Sequence, residues 1–241
     1  IKISKLIEEI EEVNNQLSSQ KNKKEELLTN NRSVQKSLEK EKKESDALAY
    51  NLRKKEKRYL NQITQKQKAS LKIDKEIERL IREAIAKSNR EKTKSKNFTL
   101  TPEALELSKN FTLNKGKLPW PVIRGVVIQN FGTQPHPIVK TAKIKSNGII
   151  IATINKEKVR TVFDGIVLSV LQFKGSNPTI LVQHGKYISA YKNLSKVYVK
   201  KGDKVFSKQN IGEVFTNNST GKSTIQFSLF QNTNPINPLI W

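Results

Sequence analysis

Two histidines and no cysteine bound what this 241-residue chain can do chemically. A hydrolytic zinc centre of the two-histidine, one-carboxylate kind needs two imidazoles converging on one point, with an acid or base beside them. His136 lies in Gln-Pro-His-Pro, where the prolines hold extended or turn backbone, and His184 closes a strand-like run at a His-Gly turn. Neither has a ligand partner at metal spacing, and no common face brings them to Asp164 or Asp203. They read as turn histidines. The lack of cysteine removes disulfides, thiolate nucleophiles and thiolate metal sites. No Gly-x-Ser-x-Gly turn and no glycine-rich phosphate loop occurs.

The elements that must position any site fall into two unlike halves. Before Pro102 there is no proline and no glycine, and the only aromatics before Phe98 are Tyr50 and Tyr59. Such a stretch forms helix readily but offers little for a globular core. Ile3, Leu6, Ile10, Val13 and Leu17 follow the 3.5-residue seam of a coiled coil, resumed by Leu48 and Leu52 and by Ile73, Ile77, Leu80 and Ala84. Gln20, Lys24, Lys55 and Lys66 interrupt it. A hairpin would have to turn at Thr29-Asn30-Asn31 without a glycine, so one long helix over residues 1–95 is the favoured geometry. Its antiparallel partner would be an upstream segment or another copy. A lever or docking arm and a passive spacer are equally compatible with this periodicity.

The seam ends in the polar stretch from Lys87 to Lys96. Thr101-Pro102-Glu103 then supplies an N-cap, a proline at the first helical position and an acid in the first turn. A short helix should follow, with Leu105, Ser108 and Phe111 on its packed face. After Gly116 the period changes to two, and short β-branched runs alternate with turns such as Asp164-Gly165, His184-Gly185 and Lys201-Gly202-Asp203. The predicted fold class is a long α-helical coiled-coil arm followed by an all-β domain. The expected division is 1–95 for the arm, 96–117 for a linker with its short helix, and 118–241 for the β domain.

The formal net charge is +23, and from Phe98 onward the only acids are Glu103, Glu106, Glu157, Asp164, Asp203 and Glu213. This surface suits an anionic polymer or lipid, although lysine used simply for solubility explains it as well. Basic residues are not interleaved with stacking aromatics, which argues against nucleic acid as a partner. No stretch of 18 or more residues is apolar throughout, the length a membrane-spanning helix needs. With no methionine in the chain, an upstream segment carrying a signal or anchor is an expectation.

The order of pieces from about Leu118 to Trp241 resembles the LytM-type domain of the M23 peptidases. "LPWPVIRGVVIQNFGTQPHP" resembles that family's opening strand, "VFDGIV" the turn and strand after its first metal motif, and "LVQHGKYISAYKNLSKVYVKKGDKVFSKQNIGEV" its most recognisable stretch. The ending "FSLFQNTNPINPLIW" is similar too. In that family zinc is held by a His-x-x-x-Asp pair and the second His of His-x-His, with further histidines assisting, one of them in Tyr-x-His-Leu. On this alignment the first two ligands have become Ser146 and Ile150, within Ser146-Asn147-Gly148-Ile149-Ile150. The Tyr-x-His-Leu segment is Tyr191-Lys192-Asn193-Leu194, and the His-x-His pair is Thr224-Ile225-Gln226. The resemblance therefore implies an M23-like frame without its metal or its activity, and no cofactor.

The layout as a whole resembles the EnvC-type murein hydrolase activators, with "LSKNFTLNKGKLPWPV" similar to their junction. That resemblance implies a non-enzymatic activator of an N-acetylmuramoyl-L-alanine amidase in cell division, outside the cytoplasmic membrane in the periplasm or cell envelope. It implies docking of the coiled coil on the extracellular domain of an FtsX-type subunit of an FtsE–FtsX transporter, with peptidoglycan as a further partner. The family hides its amidase groove behind a helical segment, and the segment from about Lys87 to Lys109 is the candidate restraint. The groove should include Ser146, Asn147, Ile150, Tyr191, Asn193, Gln226, Ser228 and Phe230. Tyr191 and Phe230 are the favoured anchors, because aromatics dominate interface hot spots. Phe230 stands where relatives often carry a basic residue. The alternative is a non-catalytic cell-wall-binding scaffold using its lysine excess.

Overall fold

The computed structural model describes residues 2–89, 98–136, 139, 142–173 and 175–241. Helix α1 runs without interruption from Lys2 to Ser88, so Thr29-Asn30-Asn31 forms no turn. By contacts the chain divides inside this helix, into Ile1–Asn61 and Gln62–Trp241. The boundary expected at residue 95 lies outside the described residues. In the first unit every large apolar residue of the seam is exposed, as a lone helix with no second layer requires.

Among the described residues the second unit holds the last turns of α1, a short helix α2 (Pro102–Leu113) and thirteen strands. Strands β1 (Val126–Gln129), β2 (Gly132–Pro135), β3 (Lys143–Ser146), β4 (Ile149–Thr153) and β5 (Lys158–Arg160) come first. They are followed by β6 (Gly165–Leu171), β7 (Thr179–His184), β8 (Tyr187–Lys192) and β9 (Leu194–Val197). The last are β10 (Lys204–Val205), β11 (Asn210–Val214), β12 (Ser223–Gln231) and β13 (Asn234–Ile236). The main antiparallel sheet has the order β1-β4-β12-β8-β7-β6-β10, with β13 also paired to β12. A three-stranded sheet β5-β11-β9 and the pair β2-β3 complete the unit.

Strand alternation gives the main sheet two buried faces. Ile149, Ile151, Ile180, Val182, Tyr191, Ile225, Phe227 and Leu229 belong to the main core, shared with Val159, Leu194 and Ile211 of the smaller sheet. On the opposite face Leu181, Ile188, Ala190 and Phe230 pack with Ile77, Ile81 and Ile85 of α1. The spacing of those isoleucines follows the helical period, so one stripe of α1 is buried while Arg79 and Arg82 stay in solvent.

Helix α2 begins as its sequence dictates: Thr101 Oγ1 accepts the Ala104 N–H at 3.3 Å, and Pro102 opens the helix. Ser108 and Phe111 are buried, whereas Leu105, expected on the same face, is exposed. Phe111 enters the main core, stacked on Tyr187 and His184 at centroid distances of 4.7 and 5.1 Å. The helix lies so close at Gly185 that a Cβ there would come within 2.5 Å of the Ala104 carbonyl oxygen, and this glycine has φ +68°.

Candidate functional site

The site follows from how β12 is placed. Ile225, Phe227 and Leu229 turn into the main core, so Thr224, Gln226, Ser228 and Phe230 stand on the other face. Gln226 pairs across the ladder with Ile150 of β4, and Ile150 pairs in turn with Gln129 of β1. Ser146 closes β3, its Oγ donating to the Gly148 carbonyl at 2.7 Å. Gly148 lies against β12 where a Cβ would meet the Phe227 carbonyl oxygen at 2.2 Å. The glycine between the two former ligand positions thus allows the strands to close.

Ser146, Ile150 and Gln226 share the wall of one cleft of about 240 Å³, completed by Gln129, Ile144 and His136. The three positions that the alignment assigns to zinc are therefore convergent. Their chemistry does not fit the metal. A hydroxyl, a hydrocarbon and an amide supply neither the imidazoles nor the carboxylate that such a centre needs, and the Ser146 hydroxyl is committed to Gly148. His136 contributes one imidazole, whose Nδ1 accepts the Val139 N–H at 3.1 Å. Among the described residues no group of three or more His, Cys, Asp or Glu is gathered as a metal site.

Asn193, which the resemblance sets at an assisting position, lies nearby. Asn193, with φ 71°, donates from Nδ2 to the Thr224 carbonyl at 2.6 Å and accepts from Asn177 Nδ2 at 2.6 Å. Asparagine tolerates this left-handed backbone. Its amide is spent on fixing neighbouring strands.

Helix α1 lines the cleft on one side. Ile63, Lys66, Gln67 and Ser70 form its fourth wall. Gln67 Nε2 donates to the Lys143 carbonyl at 2.9 Å, and Asp74 accepts from Asn147 Nδ2 at 3.2 Å and from the Lys192 ammonium. The Asp74 and Lys192 side chains are 12% and 4% exposed, so this ion pair is buried at the seam between helix and sheet. Ile77, Ile81 and Ile85 then cover Phe230, Ile188, Ala190 and Leu181. Ser228 is fully buried on that face, its Oγ without a hydrogen-bond partner among the described residues.

Of the residues expected to form a groove, Ser146, Ile150 and Gln226 come together, Asn147 and Asn193 flank them, and Ser228 and Phe230 continue along β12 under the helix. Tyr191 does not join them. It is fully buried on the opposite face, its Oη accepting the Val162 N–H at 2.9 Å, and burial raises its pKa. It is a core residue, because β8 alternates and Lys192 is the member of that pair facing α1. Phe230 is 3% exposed and anchors the chain's own helix.

His184 is likewise structural. Its Nδ1 lies 2.6 Å from the Asp164 carbonyl and its Nε2 2.8 Å from Ser189 Oγ, and burial lowers its pKa to about 4. The ring is neutral at physiological pH, with the Nδ1 proton facing the carbonyl.

Part of the expected restraint, Phe98, packs on the cluster that holds Phe230. Residues 90–97 of the Lys87–Lys109 segment lie outside the described residues. On either side of them, Asn89 Oδ1 accepts the Thr99 N–H at 2.9 Å, and α2 is fixed by Phe111 in the core. The element lying over the former metal positions is α1 from Ile63 to Ile85. Sequence reasoning missed Gln67, Asp74 and Lys192. Ile73, Ile77 and Leu80 fitted a seam between helices, and the adjoining Ile81 and Ile85, which widen that stripe enough to cover a sheet, were the available signal.

The β domain that holds residues 146, 150 and 226 is similar to M23 peptidases. Residues 144–238 match the family model described as Peptidase family M23. The chain is 32% identical over 108 residues to the peptidoglycan DD-endopeptidase ShyA of Vibrio cholerae, covering 43% of this chain and 24% of that protein. It spans about a quarter of the length of that relative. Among solved structures, Csd3 of Helicobacter pylori aligns at 26% identity with a TM-score of 0.43, over 51% of this chain and 33% of that one. A zinc-containing peptidase from Vibrio cholerae aligns at 22% identity with a TM-score of 0.44, over 50% and 38% of the two chains.

Proposed function

We propose that this protein is a non-catalytic activator of a peptidoglycan N-acetylmuramoyl-L-alanine amidase, kept silent by its own helix. The observation that carries the reading is the cleft itself: an M23-type frame whose three metal positions are Ser146, Ile150 and Gln226, closed by Ile63–Ile85 of α1. A frame retained without metal donors retains a shape for binding. A cover fastened by a buried ion pair makes that binding conditional.

In this reading the exposed first unit is the input. Its apolar seam docks on the extracellular domain of an FtsX-type transporter subunit, and movement of the arm withdraws the end of α1. The uncovered strip Gln226–Ser228–Phe230 then receives the amidase, and the working place is the cell envelope, outside the cytoplasmic membrane. Peptidoglycan contact through the basic surface would be an accessory.

The test is amidase binding by the full chain with α1 loosened by Asp74→Ala together with Ile81→Asp. Binding by this variant at least tenfold tighter than by the unaltered chain supports the reading, and equal binding rejects the cover. The +23 charge favours one other reading, a wall-binding scaffold. That predicts salt-sensitive sedimentation with isolated wall and no amidase binding by either form.

A further inference from the structure

The cleft at Ser146 carries an unbalanced charge. Lys66 lines it from α1 and Lys145 from β3, with His136, Gln129 and Gln226 beside them, and among the described residues no carboxylate lines it.

The imbalance is written into the sequence of both walls. Helix α1 has no acidic residue from Lys57 to Ile73, and none occurs from Leu107 to Lys156, the stretch that holds β1 to β4. Earlier in α1 acids recur every few residues, as in Glu39, Glu41, Glu44 and Asp46. The acid that ends the first gap, Asp74, is committed to Lys192 and Asn147. Among the described residues neither Lys66 nor Lys145 forms an ion pair, and the side-chain amides of Gln129 and Gln226 form no hydrogen bond.

Two like charges lining one small cleft work against its closure unless an anion joins them. The cleft, about 240 Å³, is smaller than the roughly 300–1,000 Å³ usual for drug-sized ligands, so the anion is small. Two cations match two negative charges on one group. A phosphate monoester carries about −1.5 to −2 near neutral pH, and lysine binds it as a point charge. A carboxylate is singly charged and is better matched by the fork of an arginine. The amides of Gln129 and Gln226 supply donors for further oxygens.

We infer that this cleft binds inorganic phosphate or a small phosphate monoester, held between Lys66 of α1 and Lys145 of β3. One lysine lies on the helix and the other on the sheet, so the site is complete only while α1 is seated. Binding therefore stabilises the seated helix by linkage. The inference deepens the activator reading by adding a ligand that keeps the cover shut, and only that consequence rests on it. The test reads binding and helix seating without an amidase, so the two readings fail separately.

Full-length protein is titrated with inorganic phosphate. Calorimetry should show saturable binding at one site per chain. Hydrogen exchange of residues 62–88 should slow about tenfold at ten times the dissociation constant. Lys66→Gln and Lys145→Gln should each weaken binding about tenfold, and Lys66→Arg should keep it. Lys68→Gln, the same loss of charge on the same helix but outside the cleft, should leave binding unchanged. Acetate and dimethyl phosphate, a diester with the single charge found in lipid headgroups and wall polymers, should bind about tenfold more weakly than phosphate. No saturable binding overturns the inference, as does equal weakening by Lys68→Gln. Equal slowing of exchange by sodium chloride at matched ionic strength, or binding of dimethyl phosphate or acetate as tight as that of phosphate, also overturns it.

Discussion

Asp74, on helix α1, holds the ammonium of Lys192 on strand β8, one residue before Asn193. The same carboxylate takes the side-chain amide of Asn147, one residue after Ser146. A single acid on the helix therefore bridges two segments of the cleft. The apolar stripe of Ile77, Ile81 and Ile85 supplies area, and the ion pair supplies register, since only one rotation of the helix about its axis brings Asp74 to Lys192.

Removing one partner of this pair leaves the other charge buried and alone, which costs about 3–5 kcal/mol at such sites. Asp74→Ala should therefore speed hydrogen exchange across residues 62–88 while leaving β7 and β8 protected. Asp74→Leu with Lys192→Met, which replaces the pair by apolar groups, should exchange like the unaltered chain. Unchanged exchange in Asp74→Ala would show that the apolar stripe alone fixes the helix.

Tyr191 and Phe230 should separate in effect, because they lie on opposite faces of the sheet. Tyr191→Phe leaves the Val162 N–H without its acceptor, a loss of about 1–3 kcal/mol in urea unfolding of the second unit. Phe230→Ala opens a cavity beneath α1 and should cost about 3–5 kcal/mol. That loss should appear first as cleavage within residues 62–88 under limited proteolysis. Cleavage of the β domain before the helix would place Phe230 in the wrong layer.

The buried His184 makes stability depend on pH in a defined window. Its folded-state pKa is lowered to about 4, while an unfolded chain has the ordinary 6.5. Above pH 6.5 both states are neutral and the full stability is present. As pH falls from 6.5 toward 4, the unfolded chain takes up a proton that the folded chain refuses, so stability is lost across that interval and levels off below it. Thermal unfolding from pH 7.5 to 4 should show this fall. His184→Asn should be less stable at pH 7.5 but flatter between pH 6.5 and 4, and an equally steep fall would assign the dependence to other groups.

The cleft that Ser146, Ile150 and Gln226 share should accept a metal if given ligand side chains. Ser146→His, Ile150→Asp and Gln226→His, combined with Ile81→Asp to loosen the cover, should bind one zinc ion per chain in a chelator competition. The unaltered chain should bind none at the same concentrations. No gain by the combined variant would mean that the three positions converge less closely than their shared cleft indicates.

Much of this was legible in the sequence because it rests on local rules. The absence of glycine and proline before Pro102 is enough for a long helix, and Thr101-Pro102-Glu103 marks the start of α2. Glycine turns and β-branched runs mark most strands. The pair β2-β3 and the short β13 escaped, as strands of three or four residues with so few apolar side chains give too little pattern to read. The convergence of Ser146, Ile150 and Gln226 came only through family resemblance, since none of the three has a chemistry that announces a site. Tyr191 was misplaced because one residue of register on β8 decides which face a side chain takes. The role of residues 63–85 was hidden for a related reason. A stripe of isoleucines on a helix does not say whether a helix or a sheet lies beneath it, and only long-range contacts such as Asp74 with Lys192 decide.

The central claim is that the metal-less β domain switches on an amidase and that residues 63–85 of α1 prevent it. The direct measurement is release of dye-labelled peptidoglycan by an N-acetylmuramoyl-L-alanine amidase from the same cells. Three full-length chains are compared: unaltered, Asp74→Ala/Ile81→Asp, and that variant carrying Gln226→Glu on the exposed strip. Each is also run without the amidase. The account predicts no release by any chain alone, weak stimulation by the unaltered chain, at least tenfold more by the loosened variant, and loss of that gain with Gln226→Glu. Release by the chain alone, or equal stimulation with and without the cover loosened, would contradict it.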